Sequence, residues 1–540
     1  MGIFLNPGTQ LFSIAVNSPI YVDKTEMITE TNAWVNTEKR YLCVSRPRRF
    51  GKSMAVAMLC AYYGAGEGNR KLFKKLKLAH CPEWDKYLGK FDVIYLNMLD
   101  FLADSKNMDQ LTEVVTDEVS HELIENYPQC ATFGTTSLRI VLGRAYSASQ
   151  RQFVIIIDEW DCVFRKHPHD LEGQKSYLDW LRSFLKDKPY VAMAYMTGIL
   201  PVKKYGTHSA LNMFDEYSMT APLQLAPYTG FTEEEVRELC DKFGRPFENV
   251  RAWYDGYLVE GEIPPDPEKL GLKAPKYHLY APLSVVNVMH SGQIKDYWNN
   301  TETYEALSEY IRMDFDGLKE TVARLMEGEH LQVNLGTYQN DMTSMTCRDD
   351  VLALLIHLGY LGYDQANGEV FIPNREIHDV FETSTSSPEW SSTMRALRNS
   401  RKLLEAVWAG NEETVAGLLE AAHDQTGNRT YNSEAALSYA VQLAFYKAQD
   451  DYTLFPEVDT GRGYADLIYI PKRPIHPAIL VELKYRQDAD TALEQILRQK
   501  YPSRLEHYKG NLILVGISYD RSAEPAAPNF KHHSCKMLWG

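Results

Sequence analysis

The chain has 540 residues, of which 44% are hydrophobic and 24% charged, and its formal net charge is −15. This length is too great for one hydrophobic core and indicates about three domains. The acidic balance argues against a protein that coats nucleic acid by bulk charge, although a local basic cleft is compatible with it.

The cysteines and the apolar stretches indicate a compartment. The eight cysteines show no C-x-x-C spacing, which argues against a zinc site or a disulfide framework and favours a reducing environment. The longest apolar stretch, Val351–Leu361, includes His357 and is too short to span a bilayer. The N-terminus lacks the basic region of a signal peptide. We therefore expect a cytoplasmic protein with no membrane partner.

A strand, a tight loop and a helix start follow one another near residue 50. Tyr41–Val44 is a short apolar run, Gly51, Lys52 and Ser53 follow it, and Met54–Ala61 has a helical pattern. Backbone N–H groups and the helix dipole at such a helix start attract an anion. This is the context of a phosphate-binding P-loop, in which Lys52 would reach the β- and γ-phosphates of ATP and Ser53 would ligate Mg²⁺.

The motif departs from G-x-x-x-x-G-K-[ST] at its first position, where Arg46 stands in place of glycine. Pro47 and two further arginines follow it. The sequence is compatible with three positions for these two arginines, which are against the nucleotide, against a neighbouring subunit or in bulk water. Besides Lys52 and Ser53, the residues expected to contact the nucleotide are Arg48, Arg49, Phe50, Gly51 and Met54.

A second acidic motif lies downstream in Gln152–Trp160, where an apolar run ends in two acids. It predicts a buried parallel strand that delivers Asp158 and Glu159 at its carboxyl end, where ligands bind in open α/β sheets. Asp158 would hold the Mg²⁺ shell, and Glu159 would orient or deprotonate the attacking water. With the further apolar runs Val93–Asn97 and Val191–Thr197, the pattern predicts a parallel α/β sheet.

The run Arg-Pro-Arg-Arg-Phe-Gly-Lys-Ser at 46–53, preceded by Tyr-Val-Asp-Lys-Thr at 21–25, resembles a family of bacterial AAA-like ATPases. Members of that family carry an arginine-rich run in place of the first glycine, and their C-terminus resembles the PD-(D/E)XK nuclease superfamily. The resemblance implies that Thr197 senses the γ-phosphate; the alternative is a polar residue that merely ends a strand. Residues 21–25 either line the base pocket or supply a helix cap at Thr25.

The pattern changes from about Pro227 to amphipathic helices and short turns. Thr232 and Glu235 predict a capping box at a helix start. Val351–Leu361 and Val370–Pro373 predict a helix followed by a hairpin, which is a winged-helix-like layout. In related ATPases such middle domains act as lids or regulatory arms, and nothing basic and periodic here selects DNA binding.

Two apolar strands near the C-terminus bring two acids and an amine together. A turn centred near Pro474 places Asp466 opposite Glu482, and the strand period of two puts Glu482 and Lys484 on one face. Two carboxylates at cross-strand distance form a Mg²⁺ site with room for water and phosphate oxygens. A charged edge strand is the chance alternative, but Ile479–Val481 predicts a buried strand, where Glu482 would be costly without a partner.

This second pattern resembles that of the PD-(D/E)XK nuclease superfamily. The resemblance implies that Asp466 and Glu482 bind metal and that Lys484 positions or activates the hydrolytic water. It also implies roles for three further residues, which are Glu434 on a preceding helix and Gln495 and Tyr501 on the helix after the Lys484 strand.

We therefore expect an α/β protein with an AAA-like P-loop ATPase domain, 8–226, a helical lid or winged-helix-like domain, 227–385, and a restriction-endonuclease-like domain of the PD-(D/E)XK type, 386–540. It would bind and hydrolyse ATP with Mg²⁺ and cleave nucleic acid, with DNA the expected partner; a homo-oligomer is compatible with these features. The alternative is a nucleotide-dependent switch or scaffold whose nuclease-like domain only binds nucleic acid or a partner protein. A third reading is a loop that binds nucleotide and hydrolyses it poorly.

Overall fold

The computed structural model describes most of the chain, which divides into two compact units, Met1–Ser384 and Thr385–Gly540. The described residues are 2–66, 68–131, 137–202, 211–262, 273–298, 307–308, 310–311, 315, 317–339, 345–385, 399–426, 437, 441, 444–445, 448–459, 464–498, 503–508, 510–520 and 532–540.

The first unit contains a five-stranded parallel sheet, as the sequence predicts. Its strands are Tyr41–Ser45 (β1), Asp92–Asn97 (β2), Phe153–Asp158 (β3), Val191–Gly198 (β4) and Asp215–Tyr217 (β5). They are arranged in the order β2-β3-β4-β1-β5. Strands β1, β3 and β4 are buried along their whole length, which explains why they are nearly continuous apolar runs. Because β4 lies between β1 and β3, the ends of these three strands form one edge.

Helices cover the sheet and enclose its core. The helix after β1, Lys52–Tyr63, buries most of its side chains, including Val56 and Leu59, against Val44 and Val154 of the sheet. The helices of this region are Gln10–Val16, Met27–Trp34, Lys52–Tyr63, Asn69–Phe73, Met98–Ala103, Met108–Asn126, Leu138–Ser149, Cys162–Lys166 and Leu171–Leu185, with 3₁₀ helices at Lys77–His80, Pro128–Cys130 and Leu223–Tyr228.

The rest of the first unit is built from helices and two small antiparallel sheets. The helices are Glu233–Phe243, Phe247–Tyr254, Pro282–Ser291, Leu318–Met326, Arg348–Leu358 and Arg375–Ser384. One sheet has the order β6-β8-β7 and the other β10-β11-β9. Their strands are Phe231–Thr232 (β6), Tyr257–Glu260 (β7), Lys276–Tyr280 (β8), Leu331–Gln332 (β9), Gly362–Asp364 (β10) and Glu369–Phe371 (β11).

Two local predictions are met in this region. Helix Arg348–Leu358 is followed by the β10–β11 hairpin, which is the helix-plus-hairpin layout expected there. Helix Glu233–Phe243 begins with a capping box, in which the Glu235 N–H donates to the Thr232 hydroxyl and the Thr232 N–H donates to the Glu235 carboxylate.

The second unit has a mixed five-stranded sheet with strands in chain order. The strands are Tyr452–Asp459 (β12), Tyr464–Pro471 (β13), Ala478–Tyr485 (β14), Leu512–Tyr519 (β15) and His533–Trp539 (β16). Only β14 and β15 pair in parallel. The helices are 399–408, Glu412–Thr426, Ala448–Asp451 and Ala489–Arg498, with a 3₁₀ helix at Ser503–Tyr508. Helix Ala489–Arg498 connects the parallel pair, as such a crossover requires.

Candidate functional site

The loop after β1 turns at two positions. Arg49 and Gly51 have positive φ angles of 69° and 89°, and Gly51 precedes helix Lys52–Tyr63. Before the turn, the Arg46 N–H donates to the Gly198 carbonyl at 3.0 Å, so the chain leaves β1 in an extended form beside β4. The first turn of the helix therefore opens toward a tight loop, the arrangement that attracts phosphate.

Lys52 is buried at the start of this helix. Its ammonium group donates to the carbonyls of Arg46, at 3.1 Å, and Pro47, at 3.0 Å. Burial lowers the pKa of Lys52, and the nearby carboxylates of Glu159 and Asp158 act in the opposite direction. The lysine thus lies between the loop and the acidic end of β3, where it could exchange carbonyl partners for phosphate oxygens.

Asp158 and Ser53 meet at the same edge. Asp158 is buried at the end of β3, and the nearby Ser53 hydroxyl acts to lower the pKa of its carboxyl group. Burial, helped by the neighbouring Glu159 carboxylate, raises the pKa of Asp158 to about 6. A hydroxyl and a carboxylate are hard oxygen donors, and a buried carboxylate with a raised pKa favours a nearby cation. The pair therefore fits a Mg²⁺ ion.

Glu159 pairs with an arginine that the sequence analysis did not identify. Its carboxylate accepts from Arg165, whose guanidinium also donates to Asp161 at 3.1 Å. Asp161 is fully buried and accepts the N–H groups of Ile199 and Leu200, which follow β4. Burial alone would lower the pKa of Arg165, but these carboxylates raise it. The candidate water-activating acid is thus tied to the end of β4.

The remaining nucleotide candidates lie around the loop. Thr197 is buried, faces Asp158 across β3 and β4, and donates its hydroxyl to the Val44 carbonyl at 2.8 Å. Arg48 and Arg49 are partly exposed, and among the described residues neither guanidinium has an ion-pair partner. The geometry leaves both arginines able to reach an anion at the loop.

A largely apolar cavity of about 180 Å³ opens beside the loop. Its walls come from four stretches of chain, represented by Tyr21, Val22 and Lys24, by Phe50, Gly51 and Met54, by Tyr228 and Phe231, and by Pro282. Apolar walls beside a phosphate-binding loop are suited to a nucleoside base. Of residues 21–25, Tyr21, Val22 and Lys24 line this cavity, and the role of the segment in a base pocket stays a prediction.

The helix-cap alternative for Thr25 is wrong. The N-cap of helix Met27–Trp34 is Glu26, and its side chain makes no capping bond. The Thr25 hydroxyl instead donates to Asp23 at 2.6 Å and accepts the Leu78 N–H. These bonds fix the segment that leads into the cavity wall.

Lys24 connects this wall to the next region of the unit. Its ammonium group donates to the Pro227 carbonyl and to the Glu235 carboxylate, both at 2.5 Å. Glu235 belongs to the capping box described above, so one carboxylate serves both the helix start and the cavity wall. The sequence predicted Glu235 as part of a capping box, but it did not predict that Lys24 would be its distant partner.

The second site lies where β13 and β14 separate. Their pairing joins Leu467–Tyr469 to Ile479–Val481, and one further step of this register places Asp466 opposite Glu482. At that point the Asp466 carboxylate, rather than a backbone carbonyl, accepts the Leu483 N–H at 2.7 Å. The strands therefore part at the position where the register sets the two acids opposite each other.

Glu482 is the centre of this site and is only 2% exposed. Its carboxylate accepts from the Lys484 ammonium group at 3.2 Å and from the side-chain amide of Gln495. Lys484 also donates to the Leu483 carbonyl at 3.1 Å. The structure therefore brings Glu482, Lys484 and Gln495 together. Glu434 and Tyr501 lie outside the described residues.

Sequence reasoning missed Arg165 and Asp161 in the first site. Asp161 follows Asp158 by three residues, and Arg165 follows Asp161 by four on a helical stretch, so an i,i+4 charge pair was visible. Their link to Glu159 and to the end of β4 was not visible, because it depends on the sheet.

Comparisons with known proteins agree with this arrangement. Residues 8–207 match the family described as "Predicted AAA-ATPase". Residues 436–524 match the "PD-(D/E)XK nuclease superfamily". Among the described residues, no helix has the length and apolar character needed to cross a membrane.

Two individual proteins are similar to parts of the chain. An uncharacterized protein in the vnfD 5′ region of Azotobacter chroococcum mcd 1 is 24% identical over 292 residues, which are 52% of this chain and 51% of that protein. The chain thus spans about half the length of this curated relative. The structure of the Aeropyrum pernix ORC2 protein in ADPNP–ADP complexes aligns with a TM-score of 0.25 and 9% identity.

The ORC2 alignment covers 69% of this chain and 93% of that one, but so low a TM-score supports no argument. The parallel sheet with its candidate phosphate-binding loop and the mixed sheet with its acid–acid–lysine cluster are supported by their strand pairing and hydrogen bonds. The chain therefore combines a region similar to AAA-ATPases, residues 8–207, with a region similar to PD-(D/E)XK nucleases, residues 436–524.

Proposed function

We propose that this protein binds and hydrolyses ATP and that its second unit cleaves nucleic acid, with DNA as the expected substrate. The observation that carries the nuclease activity is the convergence of Lys484 and Gln495 on the buried Glu482 carboxylate, beside Asp466. Burying a carboxylate among these partners is costly unless the site has a use for its charge.

In the second unit the two acids are the metal ligands. Asp466 and Glu482 offer hard oxygen donors that fit Mg²⁺ or Mn²⁺, and a bound ion would supply a polarised phosphodiester and an activated water. The Lys484 ammonium group is a proton donor beside Glu482, and its positive charge balances the negative charge that develops on the phosphate. Gln495 orients the Glu482 carboxylate from helix Ala489–Arg498.

In the first unit the nucleotide is held at both ends. The apolar cavity takes the base, and the loop with Lys52 takes the phosphates. Ser53 and Asp158 hold Mg²⁺, which would neutralise phosphate charge. Thr197 lies beside Asp158 at the strand ends, as a sensor of the γ-phosphate would.

A nuclease assay on the full-length protein tests this function. Plasmid, linear duplex and single-stranded substrates are incubated with Mg²⁺ or Mn²⁺, with and without ATP. We expect metal-dependent cleavage, which Glu482→Gln reduces by a factor of about 10² or more because a metal ligand is lost. Glu494→Gln, an exposed change on the neighbouring helix, is the matched control and keeps the parental rate. Equal rates for Glu482→Gln and the parent would end the nuclease proposal.

One observation favours the second candidate function, a nucleotide-dependent switch. The Glu159 carboxylate accepts a hydrogen bond from Arg165, so one of its oxygens is already occupied and is not available to orient a water molecule. A switch of this kind would bind ATP tightly and turn it over no faster than Glu159→Gln does. Measuring ATP affinity and phosphate release on the parent and on Glu159→Gln separates the two functions.

A further inference from the structure

Arg46 stands where the general P-loop motif has its first glycine, and its side chain is fully buried. Its Nε donates to the Thr229 hydroxyl at 2.6 Å. Its Nη1 donates to the Tyr217 carbonyl at 2.6 Å and to the Ser45 carbonyl at 2.8 Å. The guanidinium is thus held by neutral oxygens, in the interior, directly behind the phosphate-binding loop.

The backbone explains why glycine is not needed there. Arg46 continues the β1–β4 ladder through its bond to Gly198 and does not have a positive φ. Pro47 follows and disfavours a turn at the preceding residue. The turn is made later, at Arg49 and Gly51. The position therefore requires an extended residue with a long side chain rather than a flexible one.

The bonds of Arg46 join the loop to the wall of the base cavity. Thr229 lies between Tyr228 and Gly230, and both of these residues line the cavity. The Gly230 N–H also donates to the Phe50 carbonyl at 2.9 Å. Two hydrogen bonds, one donated by Arg46 and one accepted by Phe50, thus fix the loop against the segment that lines the cavity.

The buried charge has an electrostatic consequence. Burial lowers the pKa of Arg46 to about 10, so the group stays cationic near neutral pH. In a medium of low effective dielectric, a cation behind the loop adds to the positive potential that a polyphosphate meets. No carboxylate among the described residues pairs with this guanidinium, so its charge is costly in the free protein and becomes favourable when an anion binds.

We propose that Arg46 is a positioning residue for the nucleotide, which sets the phosphate-binding loop relative to the base cavity through Thr229 and Tyr217. The proposal rests on the proposed binding of ATP. It means that the arginine replaces the first glycine functionally, and that restoring the glycine is harmful.

The test measures the affinity of the full-length protein for a fluorescent ATP analogue with Mg²⁺, together with the melting temperature of each variant. Arg46→Gly, which recreates the general motif, should weaken binding by about tenfold or more, since bonds to a buried charge are lost. Thr229→Val removes one acceptor at nearly constant volume and should weaken binding by about fivefold. Thr229→Ser keeps the acceptor and should restore affinity to within about twofold of the parent.

The outcomes separate a role of Arg46 in nucleotide binding from a role in stability alone. Variants that melt earlier but bind the analogue as tightly as the parent would show a structural role only and would overturn the inference. If Arg46→Gly does not fold, the contrast between Thr229→Val and Thr229→Ser still decides, and equal affinities there would also overturn it. A parent protein that binds no analogue would instead end the proposed ATP function.

Discussion

At the level of single residues, buried ionisable groups in the first unit are held by hydrogen bonds from several elements at once. Glu376 is the clearest case, with 1% of its surface exposed. Its carboxylate accepts the N–H groups of Tyr297, at 2.7 Å, and Trp298, at 3.1 Å, and the hydroxyl of Ser284, at 2.8 Å. One side chain therefore joins helix Arg375–Ser384 to two other segments, and its protonation state bears on stability.

The pH dependence of stability follows from Glu376. Burial raises its pKa from the ordinary 4.5 to about 7, with the hydrogen bonds acting in the opposite direction. Between these values the folded protein keeps a proton that the unfolded chain has lost, so stability falls as pH rises through this window, by up to about 3 kcal/mol. Glu376→Gln cannot ionise, and its melting temperature should fall less than that of the parent between pH 5 and pH 7.5.

The control for this measurement is Glu172→Gln, an exposed change at the start of helix Leu171–Leu185. It should show the parental slope of melting temperature against pH. Equal slopes for Glu376→Gln and the parent would contradict the assignment of the titration to Glu376.

At the element scale, the second site depends on a helix lying unusually close to a sheet. Gly516 pairs with Glu482 across β14 and β15. A Cβ atom at Gly516 would lie 2.6 Å from the Ala489 carbonyl oxygen and 3.0 Å from the Leu493 nitrogen, both on helix Ala489–Arg498. The absent side chain is what allows this helix to bring Gln495 to Glu482.

Gly516→Ala tests this packing. The helix must move away from the sheet, so we expect a loss of about 1–3 kcal/mol in the stability of the second unit. Gln495 would then lose its contact with Glu482, and metal-dependent cleavage should fall by about tenfold. Thermal unfolding and the plasmid assay measure the two effects. Gly143→Ala, at a helical position with open space, is the control and should leave both unchanged or slightly raise stability. A parental melting temperature in Gly516→Ala would contradict the close approach.

At the scale of the whole molecule, the two candidate sites lie in different compact units. The candidate phosphate-binding loop belongs to Met1–Ser384 and the acid–acid–lysine cluster to Thr385–Gly540. The predicted division into three domains at 226 and 385 stays a prediction. Units with separate cores are expected to unfold in separate transitions rather than in one.

Calorimetry of the full-length protein should therefore show two unfolding transitions that respond to different ligands. ATP with Mg²⁺ at about 100 times its dissociation constant should stabilise only the first unit, by about 2.7 kcal/mol, because a ligand stabilises the unit that binds it. Lys52→Ala should abolish this shift and leave the other transition unchanged. An equal ATP shift in both transitions would show that the units unfold together.

Local patterns in the chain were sufficient to predict parts of both candidate sites. Continuous apolar runs predicted β1, β3 and β4, since strands buried on both faces leave no polar position. The strand period of two and the turn near Pro474 were enough to predict that Asp466 falls opposite Glu482, because a hairpin register is local.

The distant residues that complete those sites are visible only in the folded protein. Arg46 reaches Thr229, Lys24 reaches Glu235, and Glu376 accepts from Ser284, over separations of 183, 211 and 92 residues. Such contacts leave no periodic trace in the chain, because they arise where separately folded elements meet. The inward direction of Arg46 is the sharpest example, since its neighbours in sequence indicate an exposed basic turn, whereas the sheet edge and Thr229 hold its charge inside.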